Sequence, residues 1–129
     1  MNPKTIGSRR PTFLNPMRIR MPVGAVTSIA HRISGLLMVA GVPLAVFLLH
    51  LSVRDEAGFE RVRDLLALWP AKLLAPLMVW ALAHHLLAGV RHLLTDFGFG
   101  SSLQAARRSA WALNVAGAAI AFIAAGAIW

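Results

Sequence analysis

Charge is distributed in this chain so that three long stretches carry almost none, and that feature restricts the fold more than any other. From Ile33 to Val53 there is no Asp, Glu, Lys or Arg, and the one ionisable group is His50. Leu65 to Val90 is apolar apart from Lys72, His84 and His85, and Ala110 to Trp129 has no ionisable side chain. About 20 apolar residues carry a helix across a bilayer core. Helices are required because lipid offers backbone groups no hydrogen-bond partners. The expectation is an all-α membrane protein of one domain, 1–129. It has an N-terminal arm at 1–21 and transmembrane helices at about 22–53, 65–95 and 107–129.

Composition narrows the function classes. Charged residues make up 14% of the 129 residues, against about 25% in globular proteins. Three spans leave no room for a soluble catalytic domain, so no catalytic residue is assigned. A part in catalysis would be that of a non-catalytic anchor or electron-transfer subunit of something larger. The net charge of +8 does not point to nucleic acid, because most basic residues flank apolar spans, as membrane orientation requires. With no cysteine, disulfides and thiolate-held metals or clusters are excluded within the chain.

The first 22 residues are basic but hold no apolar run long enough for a signal-peptide core, so no cleaved leader is expected. The Ala/Leu/Arg-heavy usage points to a bacterium. Residues 1–32 carry Lys4, Arg9, Arg10, Arg18, Arg20 and Arg32 with no acid, whereas the stretch 54–64 mixes three arginines with four acids. The positive-inside rule then places the N-terminus in the cytoplasm and the C-terminus in the periplasm of a bacterial inner membrane. Pro43 and Pro76 fall inside spans and should bend them. The small residues Ala112, Ala116, Gly117, Ala121, Ala125 and Gly126 offer a packing face on the third span. That span has no polar residue singled out for chemistry and reads as structural.

Ionisable groups at membrane depth are costly and therefore functional candidates. At about 100° per residue, His85, Gly89, His92 and Asp96 form one stripe on the second span, with His84 one step round from it. An imidazole in an apolar helix is a good axial ligand for haem iron. Gly89, one turn on, removes a side chain that would meet a flat porphyrin. The alternatives are an interhelical hydrogen bond with no cofactor, or ligation by His84. His92 lies nearer the surface and suits a propionate, a proton path or a quinone environment. Asp96 fits a subunit or proton-path contact, or a pairing with Arg32. On the first span, Ser28 and Arg32 share a face with Gly35, and His31 flanks it. A hydroxyl beside a guanidinium can hydrogen-bond a quinone carbonyl. Arg32 and His31 can equally hold haem propionates, or Arg32 can reach lipid phosphate.

Two segments carry a resemblance. Ser28 followed by His31-Arg32-Ile33-Ser34-Gly35, and His85-x3-Gly89-x-Arg91-His92-Leu93-x2-Asp96, resemble the cytochrome b subunit of succinate dehydrogenase, the larger of its two membrane anchors. Arg10-Pro11 and the three-span layout fit the same family, and the likeness covers nearly the whole chain. The resemblance implies a role in succinate:quinone oxidoreductase, respiratory complex II, with a flavoprotein subunit, an iron–sulfur subunit and a second small anchor as partners. It implies a haem b shared between the anchors, with His85 as this chain's axial ligand and His31, Gly89 and His92 near the haem. Ser28 and Arg32 match quinone-contacting positions, for ubiquinone or menaquinone. Two departures stand out: His84 beside the ligand, and Thr12-Phe13-Leu14-Asn15-Pro16 after Arg10-Pro11. The other readings are a fumarate reductase-type, quinol-oxidising anchor and a haem-free assembly scaffold.

Overall fold

The computed structural model describes residues 21–129, so the N-terminal arm, including Arg10-Pro11, lies outside the described residues. Four helices follow in order: α1 (Val23–Ser52), α2 (Glu56–Ala67), α3 (Trp69–Asp96) and α4 (Leu103–Ile128). Three of them, α1, α3 and α4, are long and apolar enough to cross a membrane. The expected all-α architecture with three spans is therefore present. At 30 residues, α1 reaches about 45 Å. It continues through Pro43, and α3 continues through Pro76.

One expectation is corrected. Residues 54–64 are not a plain connection, and the second span does not begin at Leu65. A separate helix, α2, occupies Glu56–Ala67, and α3 starts at Trp69. Asp55 caps α2 by accepting from the Gly58 amide at 2.6 Å, supplying a partner to an otherwise orphaned first-turn donor. The two helices cannot merge, because Pro70 has no N–H and its ring would collide with the Leu66 carbonyl. Leu68 is accordingly extended, and Pro70 sits in the first turn of α3. Gly58 and Val62, one turn apart, bury the inner face of α2. A side chain at Gly58 would run into the Leu51 carbonyl of α1. The charged face points outward, with Arg63 paired to Glu60 at 3.3 Å.

At the other end, α3 stops in a turn where Gly98 and Gly100 both take positive φ, 84° and 69°, a region that favours glycine. Ser102 then caps α4. Arg91 ties this corner together, donating from Nε to Ser109 Oγ at 2.9 Å and from Nη2 to the Ala106 carbonyl at 3.1 Å.

The spans run antiparallel, so the start of α1, the end of α3 and the start of α4 share one end of the bundle. The interior is made of small and polar residues: Ala81, Ala88 and Ala110 with Thr27, Ser34 and His84. Small residues and interhelical hydrogen bonds take this role in membranes because apolar side chains gain nothing by leaving lipid for protein. On α4 the inward face is Ala110, Leu113 and Gly117, whereas Ala112 and Gly126 of the anticipated small-residue face point outward. Large apolar side chains face out; Leu86 and Phe122 are 62% and 82% exposed. Most of the bundle's surface is thus available to lipid or to another membrane chain.

Candidate functional site

Two adjacent histidines on α3 face different neighbours. His85 turns toward α1, where its ring meets that of His31 with centroids 4.3 Å apart and planes at 34°. Its Nδ1 lies 3.2 Å from the His31 carbonyl oxygen and 3.3 Å from Ser34 Oγ. A carbonyl only accepts, so Nδ1 carries the proton and Nε2 carries the lone pair. Ser34 Oγ donates to the same carbonyl at 2.8 Å. Gly35 completes this seat. A β-carbon there would stand 3.0 Å from His85 Cε1, closer than the ring tolerates without moving.

His84 turns toward α4 and is 1% exposed. Its Nε2 donates to Asn114 Oδ1 at 3.0 Å. Asn114 Nδ2 donates in turn to Thr27 Oγ1 at 3.0 Å, and Thr27 passes its own proton to the Val23 carbonyl at 3.0 Å. Gly117 of α4 packs against His84 with room for a small side chain. Its missing β-carbon would lie 3.5 Å from that of His84. Trp80 covers the His84 ring from one turn away, at 5.3 Å between centroids. Asn114, which the sequence reading of α4 did not single out, joins that helix to both other spans. A single amide in an apolar helix gives little signal in sequence, but its place between two other helices is visible once they are packed. Ser34, named in the sequence only as part of the His31–Gly35 segment, joins Thr27 and His31 on one face of α1 at helical spacing.

The buried edge of His31, its Nε2, has no hydrogen-bond partner among the described residues. It lies beside Gly89, whose β-carbon would come within 3.9 Å of it, an ordinary contact. Packing within the chain is therefore tight at position 35, where a side chain would displace the His85 ring by a few tenths of an ångström, and not at 89. The space at Gly89 is open to a group from outside the chain.

The remaining singled-out residues are placed as follows. Ser28 and Arg32 are exposed on α1, each one position on from the inward-facing Thr27 and His31. His92 and Asp96 are exposed near the end of α3, on the His85 side of the helix. Among the described residues no ion pair joins Asp96 to Arg32; the pairs present lie at Arg54–Asp55 and around Arg63. Also among the described residues, no group of three or more His, Asp or Glu is arranged to hold a bare metal ion. What the site offers is one imidazole with a fixed proton, a second imidazole stacked on it, and a hydroxyl and a guanidinium exposed nearby. That set can ligate one face of a cofactor metal and hydrogen-bond an acidic or carbonyl-bearing group.

The family model described as succinate dehydrogenase/fumarate reductase transmembrane subunit matches residues 7–125. A Coxiella burnetii protein named succinate dehydrogenase cytochrome b556 subunit is 36% identical over 96% of this chain and 98% of its own length. A Paracoccus denitrificans protein of the same name is 37% identical over 78% of this chain and 77% of its own. One from Rickettsia typhi, again of that name, is 28% identical over 85% and 86% of the respective chains. With the match spanning all three apolar helices and both histidine-bearing segments, the chain belongs to the succinate dehydrogenase/fumarate reductase transmembrane subunit family.

Proposed function

We propose that this chain is the cytochrome b membrane-anchor subunit of succinate:quinone oxidoreductase, holding one side of a b-type haem and helping to form the quinone site. The observation that carries the haem assignment is the seat of His85. A metal-ligating histidine commonly donates its other ring N–H to a carbonyl, which fixes tautomer and ring orientation. Nδ1 of His85 is held in this way by the His31 carbonyl, leaving Nε2 for iron. His84 is less suited, since it is buried and its Nε2 is already committed to Asn114. The residues fit the group in a second respect: the partnerless Nε2 of His31 and the open space at Gly89 lie together beside the proposed ligand.

The haem, when bound, supplies one-electron redox chemistry, and the protein sets its ligand field and surroundings. This chain orients the axial imidazole through the His31 carbonyl and Ser34, and keeps the face at Gly89 clear. His31 and His92 are positioned to donate to acidic substituents. Ser28 and Arg32, exposed on the same helix as His31, donate hydrogen bonds to a quinone carbonyl and favour the charge that develops on reduction. A second small anchor subunit would supply the other ligand to the haem. Electrons come from an iron–sulfur subunit fed by the flavoprotein. Asp96 is left for a subunit or proton-path contact.

The end that carries these residues also bears Arg32, Arg91, Arg107 and Arg108 against the one acid Asp96, while the other end balances four basic with four acidic residues. The positive-inside rule puts the former in the cytoplasm of a bacterial inner membrane, with the C-terminus in the periplasm. The names of the relatives favour succinate oxidation over fumarate reduction.

The test uses membranes holding the complete complex. A reduced-minus-oxidised spectrum shows a b-type band that His85→Ala removes or shifts, while Arg32→Ala or Ser28→Ala slows quinone reduction but spares succinate oxidation by artificial dyes. A full, unshifted band in His85→Ala rejects the ligand assignment. Absence of any band from the native complex favours the haem-free scaffold.

A further inference from the structure

His84 lies outside the motif that carries the resemblance and takes no part in the function above, yet it is one of the most buried side chains among the described residues. Its bond to Asn114 belongs to a longer figure. Thr27 of α1 meets Asn114 of α4, Asn114 meets His84 of α3, and the next residue, His85, returns to α1 at the His31 carbonyl. Thr27 and His31 are one helical turn apart, so the polar contacts run through all three spans and close on themselves.

We propose that the Thr27–Asn114–His84 chain sets the rotation of α3 about its axis, which makes Asn114 a positioning residue for His85. The proposal rests on the reading of His85 as haem ligand. Its physical basis is the angle of about 100° between neighbouring side chains on a helix. Any turn of α3 that carries His85 off the His31 carbonyl must also pull His84 off Asn114. Arg91 ties α3 to α4 about two turns away, through a long side chain. At the level of His85 itself, one contact from α1 leaves α3 free to roll about that contact, whereas contacts from two helices on two faces do not. The small-residue packing of Ala81, Ala88, Ala110 and Gly117 holds the helices close. Methyl groups and bare backbone restrain rotation weakly, because they are nearly featureless around the helix. Directional hydrogen bonds supply that restraint. Asn114 is suited to the middle position, having both a donor for Thr27 and an acceptor for His84 on one planar group.

The experiment uses the purified complex with all its subunits. Asn114→Leu keeps the volume and removes both hydrogen bonds, and His84→Leu removes one. In both, the largest g value of the oxidised low-spin haem, which reports the relative orientation of the axial imidazoles, moves from the native value. Haem transfer to an apoglobin acceptor becomes roughly tenfold faster, the low end for a group one step from a ligand. His84→Gln, whose amide N–H can reach Asn114 from a similar position, returns both readings toward native. If either leucine variant fails to assemble, Thr27→Val, the milder break at the far end of the chain, carries the same expectation. Native g values and native haem-loss rates in the assembled variants, with only the melting temperature lowered, overturn the proposal and leave the network a structural tie. His85→Ala, run in parallel, separates this from the ligand assignment: a native low-spin signal in that variant rejects the ligand itself, whatever Asn114 does.

Discussion

His31 and His85 stack across the α1–α3 seam at 4.3 Å, but the atom of residue 31 that anchors His85 is its backbone carbonyl, not its ring. The two parts of His31 therefore have separable roles. The carbonyl sets the tautomer of its neighbour, and the ring presents its own Nε2 toward Gly89.

This separation predicts the outcome of His31→Ala. The carbonyl anchor survives, so the b-type band remains, and what changes is the environment of the haem edge. The expected result is a retained band with an altered midpoint potential in a redox titration. Complete loss of the band would show that the ring, not the carbonyl, is indispensable.

Gly35 and Gly24 form a matched pair for testing the seat of His85. A β-carbon at Gly35 would stand 3.0 Å from His85 Cε1, whereas one at Gly24 meets nothing within 4 Å. Gly35→Ala is expected to lower the haem-to-protein ratio of the purified complex, and Gly24→Ala to leave it unchanged.

Arg91 holds the end of α3 to the start of α4 through two charge-assisted hydrogen bonds. Each such bond contributes about 1.5–3 kcal/mol at most, and partial exposure reduces this. Arg91→Ala should lower the thermal midpoint of the complex, with amides near Ala106 and Ser109 exchanging faster. Arg91→Lys should recover part of the loss, since an ammonium can replace one bond but not the fork.

The cap of α2 lies at the opposite end of the bundle from the proposed haem site. Asp55→Ala removes the acceptor for the Gly58 amide, at a cost of about 1 kcal/mol to that helix. Hydrogen exchange through Gly58 and Phe59 should accelerate while the haem spectrum stays native. A spectral change would mean that α2 is coupled to the far end of the bundle.

The absence of cysteine makes orientation directly measurable. With Asp55→Cys and Ser101→Cys as separate single-cysteine variants, a membrane-impermeant maleimide added to intact spheroplasts should label residue 55 and not residue 101. The reverse pattern would invert the proposed topology.

The sequence alone determined the three spans, because a run of some 20 residues without charge has one stable arrangement in lipid. It also marked the candidates for chemistry, since His31, Arg32, His85 and His92 are costly at membrane depth and conspicuous for that reason. The boundary at Trp69 was legible in Pro70, but the helical periodicity of Glu56–Ala67 was obscured by its density of charge. Only the tertiary structure decided which way the paired histidines point. Adjacent residues on a helix diverge by about 100°, so one of His84 and His85 had to face α1 and the other α4. Which faced which depended on where the third helix lay. The roles of Ser34 and Asn114 depended on the same placement, because a lone hydroxyl or amide has no readable meaning until its partner is beside it.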